Sequence, residues 1–161
     1  MTPEEPIAVE PSFDLEAAHR YFSVEYFNRA WDLIEQEERT EEEDERMLHM
    51  SVASLWHWQQ RADCTAKEMS IGYWQVSRIY ALIGRSDNAR WYADRCLEIT
   101  EGAELPAFYM GYAYEALARA AMVGRNRSAL FGYLQEARKW AAKEQNEEDR
   151  QLLLDDLATI Q

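Results

Sequence analysis

Three histidines and two cysteines are the residues with which this chain of 161 amino acids could bind a transition metal or form a covalent intermediate. Glu16 and His19 have the Glu-x-x-His spacing that supplies part of the di-iron site in some helical bundles. That site requires a second Glu-x-x-His motif and two further carboxylates on facing helices, and the sequence holds no second motif. Because too few ligands are present, we predict that the chain binds no metal.

The other histidines and both cysteines are predicted to be structural. His49 and His57 lie about two helical turns apart beside aromatic residues, a setting typical of packed or hydrogen-bonded histidines. Cys64 falls in a turn without an evident base to activate its thiol, and Cys96 lies on an apolar helix face as a small core residue. The G-x-S-x-G, P-loop and G-x-G-x-x-G motifs are absent from the sequence, so we predict neither an enzymatic activity nor a cofactor.

A set of aromatic and charged residues is the stronger candidate for a binding site. Arg78 lies in an apolar stripe beside Trp74, and Glu115 and Arg119 are charged residues of a segment that is otherwise apolar. Two interpretations remain open. On the first, the charges pair with each other for structural reasons, because buried charges need partners. On the second, Arg78 or Arg119 binds an acidic group or a C-terminal carboxylate of a partner. The groove that holds this partner would be lined by Trp74, Arg78, Tyr112, Glu115 and Arg119.

The charge of the chain limits the classes of partner. Thirty acidic residues and 17 basic residues give a formal net charge of −13, which argues against nucleic acids and anionic membranes as partners. Basic peptides and basic protein surfaces are compatible with this charge, although an excess of acid also serves solubility. Two cysteines do not make a disulfide framework, and no segment has the apolar length of a membrane span. The acidic, proline-rich N-terminus differs from a signal peptide, so we predict a cytoplasmic protein.

The candidate site depends on residues 69–83, which carry two opposed apolar stripes when they are drawn as a helix. The stripes consist of Met69, Tyr73, Val76, Tyr80 and Ile83 on one side and of Ile71, Trp74 and Leu82 on the other. A surface helix has one apolar stripe, so two stripes predict a helix that packs on both sides at the centre of a layered stack. Because few glycines and prolines interrupt the rest of the chain, we predict an all-α fold.

The other helices follow from their start and stop signals. Thr40 and Thr65 each precede a glutamate by three residues and predict capping boxes, while Ser86, Asn126 and Asn146 are predicted caps. We expect a flexible arm over residues 1–11 and one domain over residues 12–161. The predicted helices cover residues 12–36, 41–61, 65–83, 86–101, 106–123, 126–143 and 146–161. The last helix would close the stack with Leu152, Leu153, Leu157 and Ile160.

An internal repeat joins four of these helices into two similar hairpins. The turn Gly84-Arg85-Ser86 recurs later in the chain as Gly124-Arg125-Asn126. The same spacing pairs Trp74 with Tyr114 and Ala89 with Ala129. We expect both glycines to adopt the left-handed conformation that ends a helix. The first two helices are interpreted as a divergent first hairpin, and the repeated hairpins nest on one another through small residues.

These hairpins resemble the tetratricopeptide repeat family, including bacterial tetratricopeptide-like proteins. The residues that carry the resemblance are Trp74, Tyr80, Ala81, Gly84, Ala89, Ala93 and Cys96 in one copy, and Tyr114, Ala121, Gly124, Ala129 and Tyr133 in the other. The period is longer than the period of about 34 residues that is usual in that family. The resemblance implies a right-handed α-α superhelix of about three hairpins with a C-terminal capping helix. The concave face of such a superhelix binds peptides or protein segments.

On this basis we expect a non-enzymatic scaffold or adaptor whose partner is a protein or peptide. A second copy of the chain is a compatible partner. Two alternatives stay open. One is a regulatory domain that senses a small molecule between its helices through the same arginine and tryptophan cluster. The other is a helical-bundle metal protein, which the histidine count disfavours.

Overall fold

A computed structural model describes residues 10–161, and this part of the chain forms seven α-helices and no strand. The all-α prediction is therefore confirmed for these residues. The predicted arm lies outside the described residues except for Glu10 and Pro11, which are exposed. The helices are α1 (Leu15–Ile34), α2 (Glu41–Gln59), α3 (Ala66–Leu82), α4 (Ser86–Gly102), α5 (Ala107–Val123), α6 (Arg127–Ala141) and α7 (Glu147–Ala158).

Most of the predicted caps are present. Thr40 and Thr65 both form capping boxes with the glutamates three residues later, and Asn126 and Asn146 accept bonds from the first turns of α6 and α7. The prediction for Ser86 is wrong, because Ser86 is the first residue of α4. The N-cap of α4 is Arg85, whose side chain makes no capping hydrogen bond. At this corner the Arg85 N–H donates to the Tyr80 carbonyl at 2.8 Å, so the chain turns directly from α3 into α4.

The two glycine turns are alike in sequence but differ by one residue in structure. Gly84 has a φ of 77°, as predicted, whereas Gly124 has a φ of −75° and the left-handed residue is Arg125, with a φ of 56°. The prediction for Gly124 is therefore wrong. The hydrogen bond that closes each turn shows the same difference of one residue. In the first turn the Arg85 N–H donates to the Tyr80 carbonyl, and in the second the Asn126 N–H donates to the Ala121 carbonyl at 2.9 Å.

The spacing between corresponding helix starts is therefore one residue longer than the spacing of the sequence motif. The helices α3 and α5 begin at residues 66 and 107, and α4 and α6 begin at residues 86 and 127. When the two hairpins are aligned by the starts of their helices, each buried residue of α4 corresponds to a buried residue of α6. They are Ala89, Ala93, Cys96 and Thr100 in α4, and Leu130, Leu134, Ala137 and Ala141 in α6. Arg78 then corresponds to Arg119, and Trp74 corresponds to Glu115.

The helices pack as three consecutive hairpins, α1 with α2, α3 with α4 and α5 with α6, followed by α7. The two-sided packing predicted for α3 is confirmed, because α3 contacts α2 and α4 as well as α5. Gln75, which is only 1% exposed, joins the first hairpin to α3. Its amide donates to the Phe27 carbonyl at 3.0 Å and accepts from the Ser51 hydroxyl at 2.9 Å.

The exposure of the ends of the stack follows from this order. Phe13, just before α1, and Val24, within α1, are exposed because α1 is the outermost helix and α2 is its main neighbour. At the other end, α7 packs on α5 and α6 and buries Leu153, Leu157 and Ile160 as predicted, while Leu152 is 54% exposed. Within residues 10–161, none of the helices combines the length and the hydropathy that a membrane crossing requires.

The turn geometry makes a stability prediction. Gly84→Ala places a side chain on a left-handed residue and should lower the free energy of unfolding by about 1 kcal/mol. Arg125→Gly relieves the same conformation in the next hairpin and should leave stability unchanged or raise it. The control is Gly132→Ala in α6, where an added Cβ meets no atom within 4 Å and helix propensity favours alanine. Urea unfolding of the three variants measures these differences, and equal destabilisation by Gly84→Ala and Arg125→Gly contradicts the assigned turns.

Candidate binding site

The charged residues singled out in the sequence meet at the contact between α3 and α5. Glu115 is fully buried on α5, and its carboxylate accepts bonds from three side chains. Trp74 Nε1 and Arg78 Nη1 of α3 each donate at 2.8 Å, and Arg119 Nε donates from the next turn of α5. Because Trp74 and Arg78 lie one turn apart on α3, one carboxylate of α5 reaches both.

Helix α7 completes the arrangement with a second carboxylate. Arg119 Nη2 donates to the Asp156 carbonyl at 3.0 Å and to Thr159 Oγ1 at 2.7 Å. Asp156 Oδ1 lies 3.7 Å from Arg78 Nη2 and 3.9 Å from Arg119 Nη2. We call Arg78, Glu115, Arg119 and Asp156 the ion cluster. Its two arginines and two carboxylates balance in charge and connect α3, α5 and α7.

Burial changes the acid–base behaviour of the groups around the ion cluster. Loss of solvent lowers the pKa of the Arg78 guanidinium, and the Glu115 carboxylate opposes that effect. Burial and the neighbouring Asp156 carboxylate raise the pKa of the Tyr112 phenol. The phenol therefore stays protonated and donates to Asp156 Oδ2 at 2.8 Å. Arg78 Nε is buried with no hydrogen-bond partner among residues 10–161.

A cavity of about 260 Å³ lies beside the ion cluster. We call it the aromatic cavity, because its walls include Trp31 of α1, Trp74 of α3 and Phe108, Tyr109 and Tyr112 of α5. Ser70, Ile71, Cys96, Leu152 and Asp156 complete its lining. Of the predicted site residues, Trp74 and Tyr112 line this cavity. Arg78, Glu115 and Arg119 do not line it, since they pair with one another behind its wall.

The rings of the aromatic cavity are held at steep angles to one another. The centroids of Trp74 and Tyr112 are 5.4 Å apart with an interplanar angle of 80°, and those of Phe108 and Tyr112 are 4.9 Å apart at 65°. Trp31 lies 5.6 Å from Trp74. The polar ends are also fixed, because Trp31 Nε1 donates to Glu35, Trp74 Nε1 to Glu115 and Tyr112 to Asp156. These bonds orient the rings before any ligand binds.

Sequence reasoning missed several residues of this cavity. Trp31 was not among the predicted site residues, and its position in the last turn of α1 brings it to Trp74. Phe108 and Tyr109 precede Tyr112 by one turn of α5, and this aromatic run was the available signal. Asp156 carried no signal, because only the packing of α7 on α5 brings it to the site.

A second cavity, of about 590 Å³, lies between α5, α6 and the residues after α7. We call it the arginine cavity, because Arg125, Arg127 and Arg138 line it together with the exposed Phe131. Within residues 10–161 these three arginines form no ion pair. Of the two cavities, this one presents arginines that an acidic group could bind.

The histidines form a separate cluster between α1 and α2. His19 Nδ1 and His57 Nδ1 are 2.8 Å apart and share a hydrogen bond, with Phe22 and Trp56 close to the two rings. His57 is thus a hydrogen-bonded helical histidine, as predicted, whereas the same prediction for His49 is wrong, because His49 is exposed and its side chain forms no hydrogen bond within residues 10–161. Glu16 pairs with Arg20 at 2.7 Å instead of facing His19 as a ligand. Among the described residues, no group of three or more His, Cys, Asp or Glu side chains is placed to hold a metal ion.

Comparison of the chain with protein-family models, curated proteins and solved structures gave no match. The tetratricopeptide resemblance and the superhelical arrangement therefore stay predictions, with which the consecutive packing of the hairpins is consistent.

The histidine pair predicts a pH dependence. Burial, and to a lesser degree His19, lowers the pKa of His57 from its ordinary 6.5. The folded state thus prefers the neutral ring, and the contribution of His57 to stability is complete above pH 6.5 and is lost as the pH falls below that value. Urea unfolding between pH 7.5 and 5.5 should show a slope that His57→Gln flattens. The exposed control His49→Gln should leave the slope unchanged, and an unaltered slope in His57→Gln rejects this role.

The ion cluster predicts a large stability effect. Glu115→Gln leaves two buried arginines with one carboxylate between them and should lower the free energy of unfolding by about 3–5 kcal/mol. Asp94→Asn is the matched control, because it breaks an exposed pair with Arg90 and should cost less than about 1 kcal/mol. Chemical denaturation measures both. A loss below about 1 kcal/mol in Glu115→Gln would show that its charge is not needed for folding and would return it to the list of binding residues.

Proposed function

We propose that the protein is a non-enzymatic binding module that holds a segment of another protein at the aromatic cavity. The observation that carries this proposal is which helices supply the residues that line the cavity. One side chain or more comes from each of α1, α3, α5 and α7, which are the first helices of successive hairpins and the helix that follows them. We call the surface made by these four helices the first-helix face. A shared face built in this way is the surface on which stacked helical hairpins bind extended partners.

The chemistry of the walls supports a protein segment as the ligand. Tryptophan and tyrosine are among the residues that contribute most to binding free energy at protein interfaces. The rings are already oriented by bonds to Glu35, Glu115 and Asp156, so little conformational freedom is lost on binding. A volume of about 260 Å³ lies just below the roughly 300–1,000 Å³ of typical small-molecule sites and has room for one inserted side chain. The preference for a partner segment therefore rests on the aromatic walls and not on the volume.

The ion cluster has a supporting role in this proposal. Arg78, Glu115 and Arg119 are among the binding residues predicted from sequence, yet each is paired inside the protein. We assign them to positioning: Glu115 fixes Trp74, and Asp156 fixes Tyr112. The direct contacts then come from Trp31, Trp74, Phe108, Tyr109 and Tyr112. Nucleic acids and anionic membranes stay disfavoured as partners by the net charge of −13.

A peptide library displayed on phage tests the proposed function. Peptides selected on the wild-type protein should change its tryptophan fluorescence, because Trp31 and Trp74 line the cavity. Phe108→Ala should weaken their binding about tenfold or more, since it removes a wall that has no part in the ion cluster, while the melting temperature stays close to that of the wild type.

Phe131→Ala is the control for this experiment, because it removes an exposed phenylalanine at the arginine cavity instead. Peptides that respond to Phe131→Ala and not to Phe108→Ala would move the binding surface to the arginine cavity. Failure to select any peptide that depends on Phe108 would overturn the proposed function.

A further inference from the structure

The aromatic cavity contains one ionised side chain among its lining residues, and that side chain is negative. Asp156 is the acidic member, and neither arginine, lysine nor histidine is among the ten lining residues. Arg78 and Arg119 donate to Glu115, and their Nη2 atoms lie 3.7 and 3.9 Å from Asp156 Oδ1. Among the described lining residues, a ligand inside the cavity therefore contacts a carboxylate and no basic side chain.

The hydrogen-bonding groups of the cavity also favour a cation over an anion. The indole N–H groups of Trp31 and Trp74 and the Tyr112 hydroxyl already donate to carboxylates of the protein. The Ser70 hydroxyl shares a hydrogen with Thr100 at 2.7 Å. These four groups offer an anionic ligand no free donor, whereas the Tyr109 hydroxyl has no hydrogen bond to residues 10–161 and could donate one. An acidic ligand would lose most of its hydration there for this one replacement bond, at a cost in binding free energy.

Asp156 retains an acceptor atom. Its Oδ2 accepts from Tyr112, but its Oδ1 has no donor within hydrogen-bond distance among residues 10–161, because the two arginine Nη2 atoms lie 3.7 and 3.9 Å away. The side chain is 27% exposed, so an incoming group can reach it. Since a carboxylate can accept about four hydrogen bonds, Oδ1 can accept an N–H of a primary alkylammonium group, and its charge attracts a quaternary ammonium group, which has no N–H.

The remaining attraction comes from the rings and from the whole chain. Electron-rich faces of tryptophan and tyrosine attract a cation that lies within about 6 Å of the ring centroid. Rings inclined to each other by 65° and 80° can present faces to such a cation from more than one direction. The two arginines and two carboxylates of the ion cluster balance in charge, with Asp156 as the member that lines the cavity, and the net charge of −13 favours the approach of cations over anions.

We propose that the aromatic cavity binds an alkylammonium group, a positively charged nitrogen on an aliphatic stem. This inference rests on the proposed function, because it names the ligand class of the same site. It reverses the hypothesis, drawn from sequence, that Arg78 or Arg119 binds an acidic group, since both arginines are paired away from the cavity. The shared chemistry has two sources, a lysine side chain of a partner segment and a free quaternary ammonium compound.

Three probes of one shape and different charge test the inference. Choline is the cation, 3,3-dimethylbutan-1-ol is its neutral isostere and 3,3-dimethylbutanoate is the anion. Titration with tryptophan fluorescence should give choline an affinity about tenfold above that of the neutral probe, and the anion should not bind. Equal affinity for the cation and the neutral probe, or tighter binding of the anion, overturns the inference. Either result leaves a cavity that binds apolar groups, as the proposed function requires.

The role of Asp156 is tested with Asp156→Asn, which keeps an acceptor for the Tyr112 hydroxyl. The variant should lose most of the preference for choline over the neutral probe, and this preference is a ratio of two affinities measured on the same variant. Asp155→Asn, its exposed neighbour on α7, is the matched control and should keep the preference of the wild type. Retention of the preference in Asp156→Asn, including an equal loss of affinity for both probes, would contradict a charge-specific role for Asp156.

A pair of short peptides that contain either lysine or norleucine identifies the source of the cation. Tighter binding of the lysine peptide than of choline assigns the site to a partner segment, and its preference over the norleucine peptide should fall in Asp156→Asn because the N–H bond to Oδ1 is lost. Tighter binding of choline assigns the site to a free ammonium compound. If all cationic probes fail while library peptides still depend on Phe108, the cation inference is overturned and the proposed function stands.

Discussion

Glu115 carries a negative charge at a position with no exposed surface, and this single burial governs the arrangement of the helices around it. A buried carboxylate is tolerated only where several donors reach it, and Glu115 receives one from Trp74 and two from arginines. Those arginines in turn lead to Asp156 and the end of α7. The need to compensate the buried charge of Glu115 thus links three features of the structure. They are the contact between hairpins, the position of the last helix and the orientation of the aromatic walls.

The ion cluster also shows which of two roles its residues have, a binding surface or a buried ion pair, and the sequence alone does not distinguish these roles. Arginine and tryptophan near a glutamate are typical of binding surfaces and also of buried ion pairs. Here Arg78, Glu115 and Arg119 pair with one another inside the protein, and the aromatic groups that Glu115 and Asp156 orient line the cavity. The arginines of the arginine cavity, which form no ion pair within residues 10–161, lie at the turn between α5 and α6 and on α6. The surface chemistry of the aromatic cavity is therefore aromatic and acidic.

Local sequence rules predicted much of the fold, because their physical basis spans only a few residues. Thr40 and Glu43 satisfy each other within one turn, so their capping box needs no knowledge of the rest of the chain. The turn at Gly124 shows the limit of such rules. Its sequence matches that at Gly84, yet the left-handed residue is Arg125, and α6 buries Leu130 and Leu134 where α4 buries Ala89 and Ala93. Packing between helices decides this register. The aromatic cavity has the same dependence, since it combines residues of five helices and Asp156 enters it only through the docking of α7.

The register in which α3 and α5 are equivalent has a consequence for how the chain could grow. Arg78 and Arg119 occupy equivalent positions in successive hairpins, but the residue equivalent to Glu115 is Trp74. The two copies have become complementary to each other, one supplying the indole and the other the carboxylate. A duplicated α3–α4 hairpin inserted between them would face Arg78 with a tryptophan and leave a buried guanidinium without a counterion. Solenoids built from interchangeable units lengthen by duplication, whereas the hairpins α3–α4 and α5–α6 are specialised for each other and do not tolerate a copy of the first inserted between them.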